Sequence, residues 1–218
     1  MSFELNAAFS LSIVTGAVVG WSRVKKIDPA FLPFLILLTL GFFNEVISIV
    51  LIKNRHQNIF NYNLYELVES ILLTWQFLKW GLFRSKKHLY YFLQVLLICL
   101  WTAENIVHSF KAFNSHFIIL HSFFFVMMAI SMINRISLRE STPLWRQPIF
   151  LICVGLVIYY DYAVLVEALW IFGLNYSGRF RIRIFEILAY INLFTNMIFA
   201  FAFIWVPTKL RYILQPSL

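Results

Sequence analysis

The sequence predicts an all-α membrane protein, a polytopic bundle of seven transmembrane helices. The composition and the spacing of the apolar runs both lead to this prediction. Of the 218 residues, 61% are hydrophobic and 13% are charged, whereas soluble domains average about 25% charged residues. The apolar residues gather in runs of roughly the 20 residues that cross a bilayer core. Because the polar separators between the runs are short, we expect one domain that spans residues 1–218.

The predicted helices follow one another with polar or basic separators. They cover approximately residues 4–22, 30–52, 60–83, 89–110, 114–134, 147–172 and 180–206. Pro29 and Pro148 lie near the start of the second and sixth helices, and Pro207 follows the last one, as proline's tolerance of helix starts and stops predicts. The first run has no Lys or Arg before Arg23, so a cleaved signal peptide is not indicated.

The basic residues predict the orientation of the bundle in the membrane. If the N-terminus lies outside, two thirds of the 18 Lys and Arg residues fall on the inner side. The positive-inside rule therefore favours an N-out, C-in topology, in the inner (plasma) membrane of a bacterium. We attribute the net charge of +8 to membrane-surface loops and anionic lipid rather than to nucleic acid.

Most of the acidic residues lie inside predicted helices. They are Glu45, Glu66, Glu69, Glu104, Asp161, Glu167 and Glu186. A charged side chain at the bilayer centre costs about 2.5–3.5 kcal/mol even on insertion scales, so we expect these groups to face the bundle interior. In the N-out topology they converge on the outer half of the bundle, together with His108, His116 and His121.

Polar residues at helical spacing predict a binding pocket in that outer half. Asn44 beside Glu45, and Glu66 with Glu69, mark one face of the second and third helices. The predicted pocket residues are Asn44, Glu45, Glu66, Glu69, Glu104, Asn105, His121, Asp161, Asn192 and Asn196. They indicate an outward-open pocket for a polar or cationic ligand. The alternative is a set of buried hydrogen bonds between helices, each contributing about 0.6–2 kcal/mol.

A transition-metal site is a second possibility. Glu104 and His108 are four residues apart on one helix, and His121 approaches from the next helix. Carboxylate and imidazole ligands suit Zn, Mn or Fe, although no HExxH motif is present. Retinal is not expected, because residues 180–206 contain no lysine for a Schiff base.

Two segments resemble a known group of proteins. They are NEVISIVLIKNRHQNIFNYNLYELVES at residues 44–70 and PLWRQPIFLICVGLVIYY at residues 143–160. Both resemble a loosely defined group of small, mostly uncharacterised bacterial seven-helix membrane proteins, similar to the membrane sensor modules of histidine kinases. The resemblance covers about a fifth of the chain. It implies a sensory role and a separate signalling partner such as a histidine kinase, and it implies no particular binding residue.

Three functions follow from these observations. The first is a sensor or receptor-like binding module that signals through a separate partner. The second is an intramembrane enzyme acting on a lipid, in which Glu69, Glu104 and His108 supply acid–base or metal chemistry. The third is a transporter or pore for a cation or proton. The sequence leaves the ligand and the oligomeric state open.

Overall fold

The computed structural model describes residues 3–110, 112–139, 143–172 and 178–207. It describes only the backbone of Arg139, Gly178, Arg179 and Arg181. Over these residues the regular structure is helical, without a strand. The helices are α1 (Phe3–Ser10), α2 (Ile13–Ser22), α3 (Leu32–Lys53), α4 (Ile59–Lys79), α5 (Lys87–His108), α6 (Ser115–Arg139), α7 (Pro148–Ile171) and α8 (Gly178–Trp205). The predicted all-α class is therefore confirmed.

Six helical stretches of the described chain are long and apolar enough to cross a bilayer, so the protein is a multi-pass membrane protein. They are Phe3–Ser22, Pro29–Lys53, Lys87–His108, Ser115–Leu138, Pro148–Ile171 and Ile182–Trp205. Helix α4 is not among them, because its polar side chains lower its hydropathy. Five of these, Asn63, Glu66, Ser70, Thr74 and Gln76, are buried against other helices. The seven-helix count and the orientation stay predictions, and Lys111, Lys209 and Arg211, which entered the orientation argument, lie outside the described residues.

The helices form a closed ring. From α2 to α8, each helix packs against the next in the chain, and α8 returns to pack against α2. Helix α1 packs against α8 and α3, and α4 also reaches α6 across the ring. Since the connections are short, neighbouring helices run antiparallel, and the same end of the bundle collects the ends of α3 and α5 with the starts of α4 and α6.

The first span is interrupted at Leu11 and Ser12, a feature that the sequence prediction of one helix at 4–22 missed. The N–H groups of Ser12 and Thr15 bond to carbonyls three residues back, at 3.2 and 3.0 Å. The Ser12 hydroxyl donates to the Phe9 carbonyl at 2.6 Å and accepts from the Asn196 amide of α8 at 2.9 Å. Serine back-bonding of this kind bends helices. The joint therefore places a polar group of the first span against α8.

One half of the bundle has a dry aromatic core, which we call the apolar half. It lies where α2 and α4 end and α3 and α7 begin, and its fully buried side chains include Phe31, Phe77 and Phe203. Phe77 and Trp80 pack edge to face with ring centroids 5.5 Å apart. Aromatic pairs in this arrangement contribute about 0.5–1.5 kcal/mol beyond their buried area. This half supplies the main hydrophobic contact between the helices.

The polar side chain of Gln76 in α4 completes the apolar half. Its Oε1 accepts from the Phe34 N–H at 2.7 Å, and its Nε2 donates to the Ala30 carbonyl at 2.6 Å. The first turn of a helix leaves N–H groups without partners inside the helix, and Gln76 fills one of those positions at the start of α3. Gln76 lies on the same helix as Glu66 and Glu69 but has this separate capping role.

The opposite half, which we call the polar half, collects buried polar side chains from several helices. They are Asn44 and Ser48 of α3, Asn63 and Glu66 of α4, Glu104 and Asn105 of α5, Asn114 and Ser115 at the start of α6, and His121 and Ser122 of α6. Glu66 and Glu104 are the two acidic residues in this buried set, and the expected convergence of all seven acids on the outer half stays a prediction.

Candidate functional site

Three ionisable side chains meet at the boundary between the two halves. Glu66 and Glu69 lie three residues apart on α4, and His121 faces them from α6. One carboxylate oxygen of each glutamate and one ring nitrogen of His121 lie within 4.8 Å of one another. The His121 Nε2 lies 3.3 Å from Glu66 Oε2. His121 is fully buried and Glu66 is 4% exposed. Helical spacing of three residues puts both carboxylates on one face of α4, so both can contact the same small ligand or ion.

The His121 ring is held in one orientation and one protonation form. Its Nδ1 lies 3.0 Å from the Phe117 carbonyl of the preceding turn, a contact that is attractive only if Nδ1 carries a proton. The ring packs against Phe117 at 4.8 Å and Phe125 at 5.4 Å between centroids. The neutral ring therefore presents the Nε2 lone pair to the carboxylates.

Tyrosines surround the two carboxylates. The Tyr62 hydroxyl donates a hydrogen bond to Glu66. The Tyr160 hydroxyl of α7 interacts with Glu69, but at a geometry outside a well-formed hydrogen bond, since this oxygen has no such partner among the described residues. The Tyr160 ring packs edge to face on His121 at 5.9 Å between centroids. Phenol groups of this kind stabilise carboxylates without neutralising them.

A cavity of about 70 Å³ adjoins the group, on the side of Glu69 and Tyr160. This volume holds several water molecules. Its polar lining includes Ser10, Glu45, Tyr65, Glu69, Asn192 and Asn196. A Cβ atom built on Gly41 would lie 2.8 Å from the Tyr65 hydroxyl oxygen. The glycine therefore leaves room for that hydroxyl to reach the cavity.

The site contains three carboxyl groups without a lysine or arginine beside them. Among the described residues, no Lys or Arg comes within salt-bridge distance of Glu45, Glu66 or Glu69. The ionisable side chain that does come within this distance is His121, which faces Glu66. The Ser10 hydroxyl, beside the joint between α1 and α2, is a polar neighbour of Glu45, although its proton is donated to the Asn6 carbonyl at 3.2 Å. Buried carboxylates are ordinarily paired with a cation or a metal. This arrangement is suited to binding a positively charged ligand.

Glu104 has a different role from the one that the sequence indicated. Its Oε2 accepts from the Phe117 N–H at 2.6 Å, and its Oε1 accepts from the His116 N–H at 3.0 Å. The carboxylate thus caps the N-terminus of α6, where N–H groups and the helix dipole favour negative charge. His108 is exposed and stacks on His116 at 5.8 Å between ring centroids. The proposed metal set of Glu104, His108 and His121 is therefore not assembled, and His121 joins Glu66 and Glu69 instead.

Two of the four predicted asparagines, Asn44 and Asn196, form hydrogen bonds between helices. The Asn61 amide of α4 donates to the Asn44 side chain at 2.8 Å, and the Asn105 amide donates to the Trp101 carbonyl of its own helix at 2.8 Å. The Asn196 amide bonds to Asn192 at 3.2 Å as well as to Ser12. Asn192 and Asn196 also line the cavity. Asn44 and Asn105 are not among the residues that line it.

The acidic residues of α7 and α8 stand apart from the group. Asp161 is exposed on the surface of α7, so the expectation that it faces the interior is wrong: one residue along the helix, Tyr160 takes the inward position. Glu167 is half-buried and receives a hydrogen bond from Ser115.

Sequence reasoning missed the tyrosines of α7 and the serine at the helix joint. Tyr159 and Tyr160 line the cavity, as does Ser10. The signal was a pair of phenol groups in the middle of an apolar run, where each hydroxyl needs a polar partner.

No protein-family model, curated protein or solved structure matches this chain, so its functional interpretation depends on the geometry described above.

Proposed function

We propose that this protein is a membrane receptor-like binding module whose interior cavity takes a small cationic ligand and whose bound state signals to a separate partner. The observation that supports it is the cavity between Glu45 and Glu69, which has two carboxylates and no Lys or Arg counterpart within reach among the described residues. A bound cation supplies the missing positive charge, and its binding energy is available to shift the packing of the helices.

The proposal includes seven membrane-crossing helices in an N-out, C-in bundle. Helix α4, with 21 residues, is about 31 Å long at 1.5 Å per residue, which matches a bilayer core of about 30 Å. Its apolar side chains Phe60 and Leu64 are exposed, while Glu66 is buried. We infer that α4 crosses the membrane with its polar face inward, and that the polar half opens outward.

Signal output requires a coupled change of shape. The joint at Leu11 and Ser12 lies beside the cavity and is hydrogen-bonded to α8 through Asn196. A ligand that binds Ser10 or Asn196 would therefore change the packing of the first span against the last one. We propose that a membrane partner such as a histidine kinase reads this change in a bacterial inner membrane. The resemblance of residues 44–70 and 143–160 to sensor modules supports this part of the proposal.

The test is cation binding by the protein reconstituted in nanodiscs. Methylammonium, trimethylammonium and a linear diamine are titrated while thermal unfolding is followed by tryptophan fluorescence. We expect at least one of them to raise the midpoint saturably, because a ligand at 100 times its Kd stabilises the folded state by about 2.7 kcal/mol. Hydrogen exchange at the joint of α1 and α2 then reports whether binding changes the helix packing.

The matched variants are Glu45→Gln, Glu69→Gln and Asp161→Asn. Each removes one carboxylate from a long helix, but Asp161 is exposed and is not among the residues that line the cavity. We expect the first two to weaken cation binding at least about tenfold and the third to leave it unchanged. If no organic cation binds saturably, or if Glu45→Gln binds as the wild type does, the cavity is not a cation receptor.

Transport of the cation is the second candidate function. The observation that favours it is the interrupted first span next to the cavity, because discontinuous helices form the ion and substrate sites of many transporters. Uptake of the bound cation into proteoliposomes distinguishes the two functions. A receptor binds without flux, whereas flux that is lost in Glu69→Gln supports a transporter. The enzyme hypothesis relied on Glu69, Glu104 and His108. Glu69 lines the cavity, whereas Glu104 caps α6 and His108 is exposed.

A further inference from the structure

We propose that Glu66, Glu69 and His121 form a binding site for one divalent transition-metal ion, with Zn²⁺ as the probe. The proposal deepens the cationic site proposed above, and rests on it only for the biological use of the metal. It differs in its ligands, since Glu45 and the asparagines of α8 have no part in it.

The donor atoms are close enough to share one ion. One carboxylate oxygen of Glu66, one of Glu69 and one ring nitrogen of His121 lie within 4.8 Å of one another. Zinc–oxygen and zinc–nitrogen bonds are about 2.0–2.2 Å long, which places the donors of a tetrahedral ion about 3.4 Å apart. Binding therefore requires the donor atoms to move closer together, and rotation of the flexible Glu66 and Glu69 side chains can supply that movement. The three ligands come from α4 and α6, which pack against each other across the ring.

The orientation of His121 is the independent evidence for a cation. With the proton on Nδ1 and directed at the Phe117 carbonyl, the Nε2 lone pair faces the Glu66 carboxylate at 3.3 Å. Nε2 is fully buried and has no hydrogen-bond partner among the described residues. Two lone-pair donors at this distance repel unless they share a proton or a metal ion. An imidazole whose other nitrogen donates to a carbonyl is the usual form of a histidine metal ligand.

Charge balance is compatible with a divalent ion. With both carboxylates ionised and the imidazole neutral, the ligands carry a charge of about −2, which a divalent cation cancels, and a cancelled charge removes most of the penalty of burial in an apolar medium. The supporting contacts are in place, since Tyr62 donates to Glu66 and the rings of Phe117 and Phe125 confine the imidazole.

The donor set selects the class of metal. Imidazole nitrogen suits Zn, Cu, Fe and Ni, and carboxylate oxygen suits Mn and the hard cations. One imidazole with two carboxylates therefore points to Zn²⁺, with Mn²⁺ or Fe²⁺ as weaker competitors, and disfavours Mg²⁺ and Ca²⁺. Three protein ligands leave a fourth position of a tetrahedral ion. Glu69 also lines the cavity, from which water could supply the fourth ligand.

The experiment uses the full chain, purified without chelator through a tag that contains no histidine and then reconstituted in nanodiscs. Metal content is measured by elemental analysis, and affinity by titration of the chelator-treated protein with Zn²⁺. Co²⁺ is titrated in parallel, because its visible absorption reports nitrogen and oxygen coordination directly. We expect one equivalent of metal per chain, and at least about a 100-fold loss of affinity in His121→Gln and in Glu66→Gln.

The control variants remove similar groups elsewhere. Glu104→Gln alters a buried carboxylate engaged by α6, and His108→Gln alters an exposed histidine, so both are expected to bind metal as the wild type does. Circular dichroism and elution as a single species establish that each variant is folded. A wild-type protein that takes up neither Zn²⁺ nor Co²⁺ overturns the metal site, and so does unchanged affinity in folded His121→Gln. Either result leaves a proton shared between His121 and Glu66.

The two proposals fail separately. Glu45→Gln is expected to weaken organic-cation binding at least about tenfold and leave Zn²⁺ affinity unchanged, because Glu45 is not part of the metal group. His121→Gln is expected to have the opposite effect. If the protein binds an organic cation but no Zn²⁺, the metal site is therefore rejected and the receptor proposal stands.

Discussion

In the apolar half, the buried amide of Gln76 bonds to two backbone groups at 2.7 and 2.6 Å. In the polar half, the equally buried ring nitrogen of His121 faces a carboxylate at 3.3 Å without forming a hydrogen bond. Both side chains are fully buried, so burial alone does not separate structural from functional polar groups. The difference lies in whether the protein itself satisfies the group. Four predictions use this comparison, in order of decreasing effect on stability.

Phe77→Ala tests the apolar half as the main source of stability. Phe77 is fully buried and packs on Trp80, and replacing such a side chain with Ala typically lowers the free energy of unfolding by about 3–5 kcal/mol. Unfolding in detergent, followed by tryptophan fluorescence, measures the change. The folded fraction should bind cations with wild-type affinity. A change of affinity in that fraction would mean that the two halves are coupled.

Gln76→Leu tests the claim that polar groups in the apolar half are purely structural. The substitution leaves the Phe34 N–H and the Ala30 carbonyl without partners, and each unsatisfied buried group costs about 1–3 kcal/mol. We expect a loss of about 2–4 kcal/mol in the same unfolding assay. Gln76→Glu retains an acceptor for Phe34 and should lose less. Equal stability of Gln76→Leu and the wild type would contradict the capping role.

Glu104→Ala tests whether a buried acid of the polar half is also structural. Loss of the carboxylate that accepts from Phe117 and His116 should lower the free energy of unfolding by about 1–2 kcal/mol, as for other helix caps. Glu104→Gln retains an acceptor oxygen and should recover part of the loss. Isothermal titration should give unchanged cation affinity for both variants. A large loss of cation affinity in folded Glu104→Gln would show that Glu104 takes part in cation binding.

Glu69→Gln is expected to have the smallest effect on stability and the opposite sign. Removing one of two neighbouring carboxylates relieves repulsion, so the cation-free protein should be as stable as the wild type or more stable by up to about 1 kcal/mol. Unfolding is measured in the presence of chelator, with Asp161→Asn as the control. Clear destabilisation by Glu69→Gln alone would show that Glu69 supports the fold instead of a ligand.

The sequence predicted the helices closely, because a bilayer imposes a minimum length on each apolar run. The predicted span 180–206 corresponds to α8 at Gly178–Trp205, and 147–172 to α7 at Pro148–Ile171. The third predicted helix, 60–83, extends past the observed end of α4 at Lys79. Gly81 follows with a φ of 83°, a conformation that favours glycine and ends a helix, while the apolar run continues to Phe83.

The site was harder to predict, because depth along a helix does not determine which way a side chain faces. Helix α7 is apolar on all sides, so nothing in its pattern turned Asp161 outward and Tyr160 inward. Glu104 lies in the polar half, as its position along α5 implied, but its partners are N–H groups of α6 that spacing within one helix cannot reveal. Glu45, Glu66, Glu69 and His121 were identified because their residue types are expensive in lipid.

The closure of the ring between the first and last helices has a consequence for biosynthesis. The Asn196 amide bonds to the Ser12 hydroxyl across 184 positions of sequence, and Arg23 donates to the Phe203 carbonyl across 180. At about 5–20 residues per second, a ribosome takes roughly 10–40 s to make the intervening chain. During this interval the first span waits in the membrane with its polar joint and its arginine unpartnered. A chain released before α8 is made retains an open seam beside the acidic cavity and becomes a ready substrate for membrane proteases.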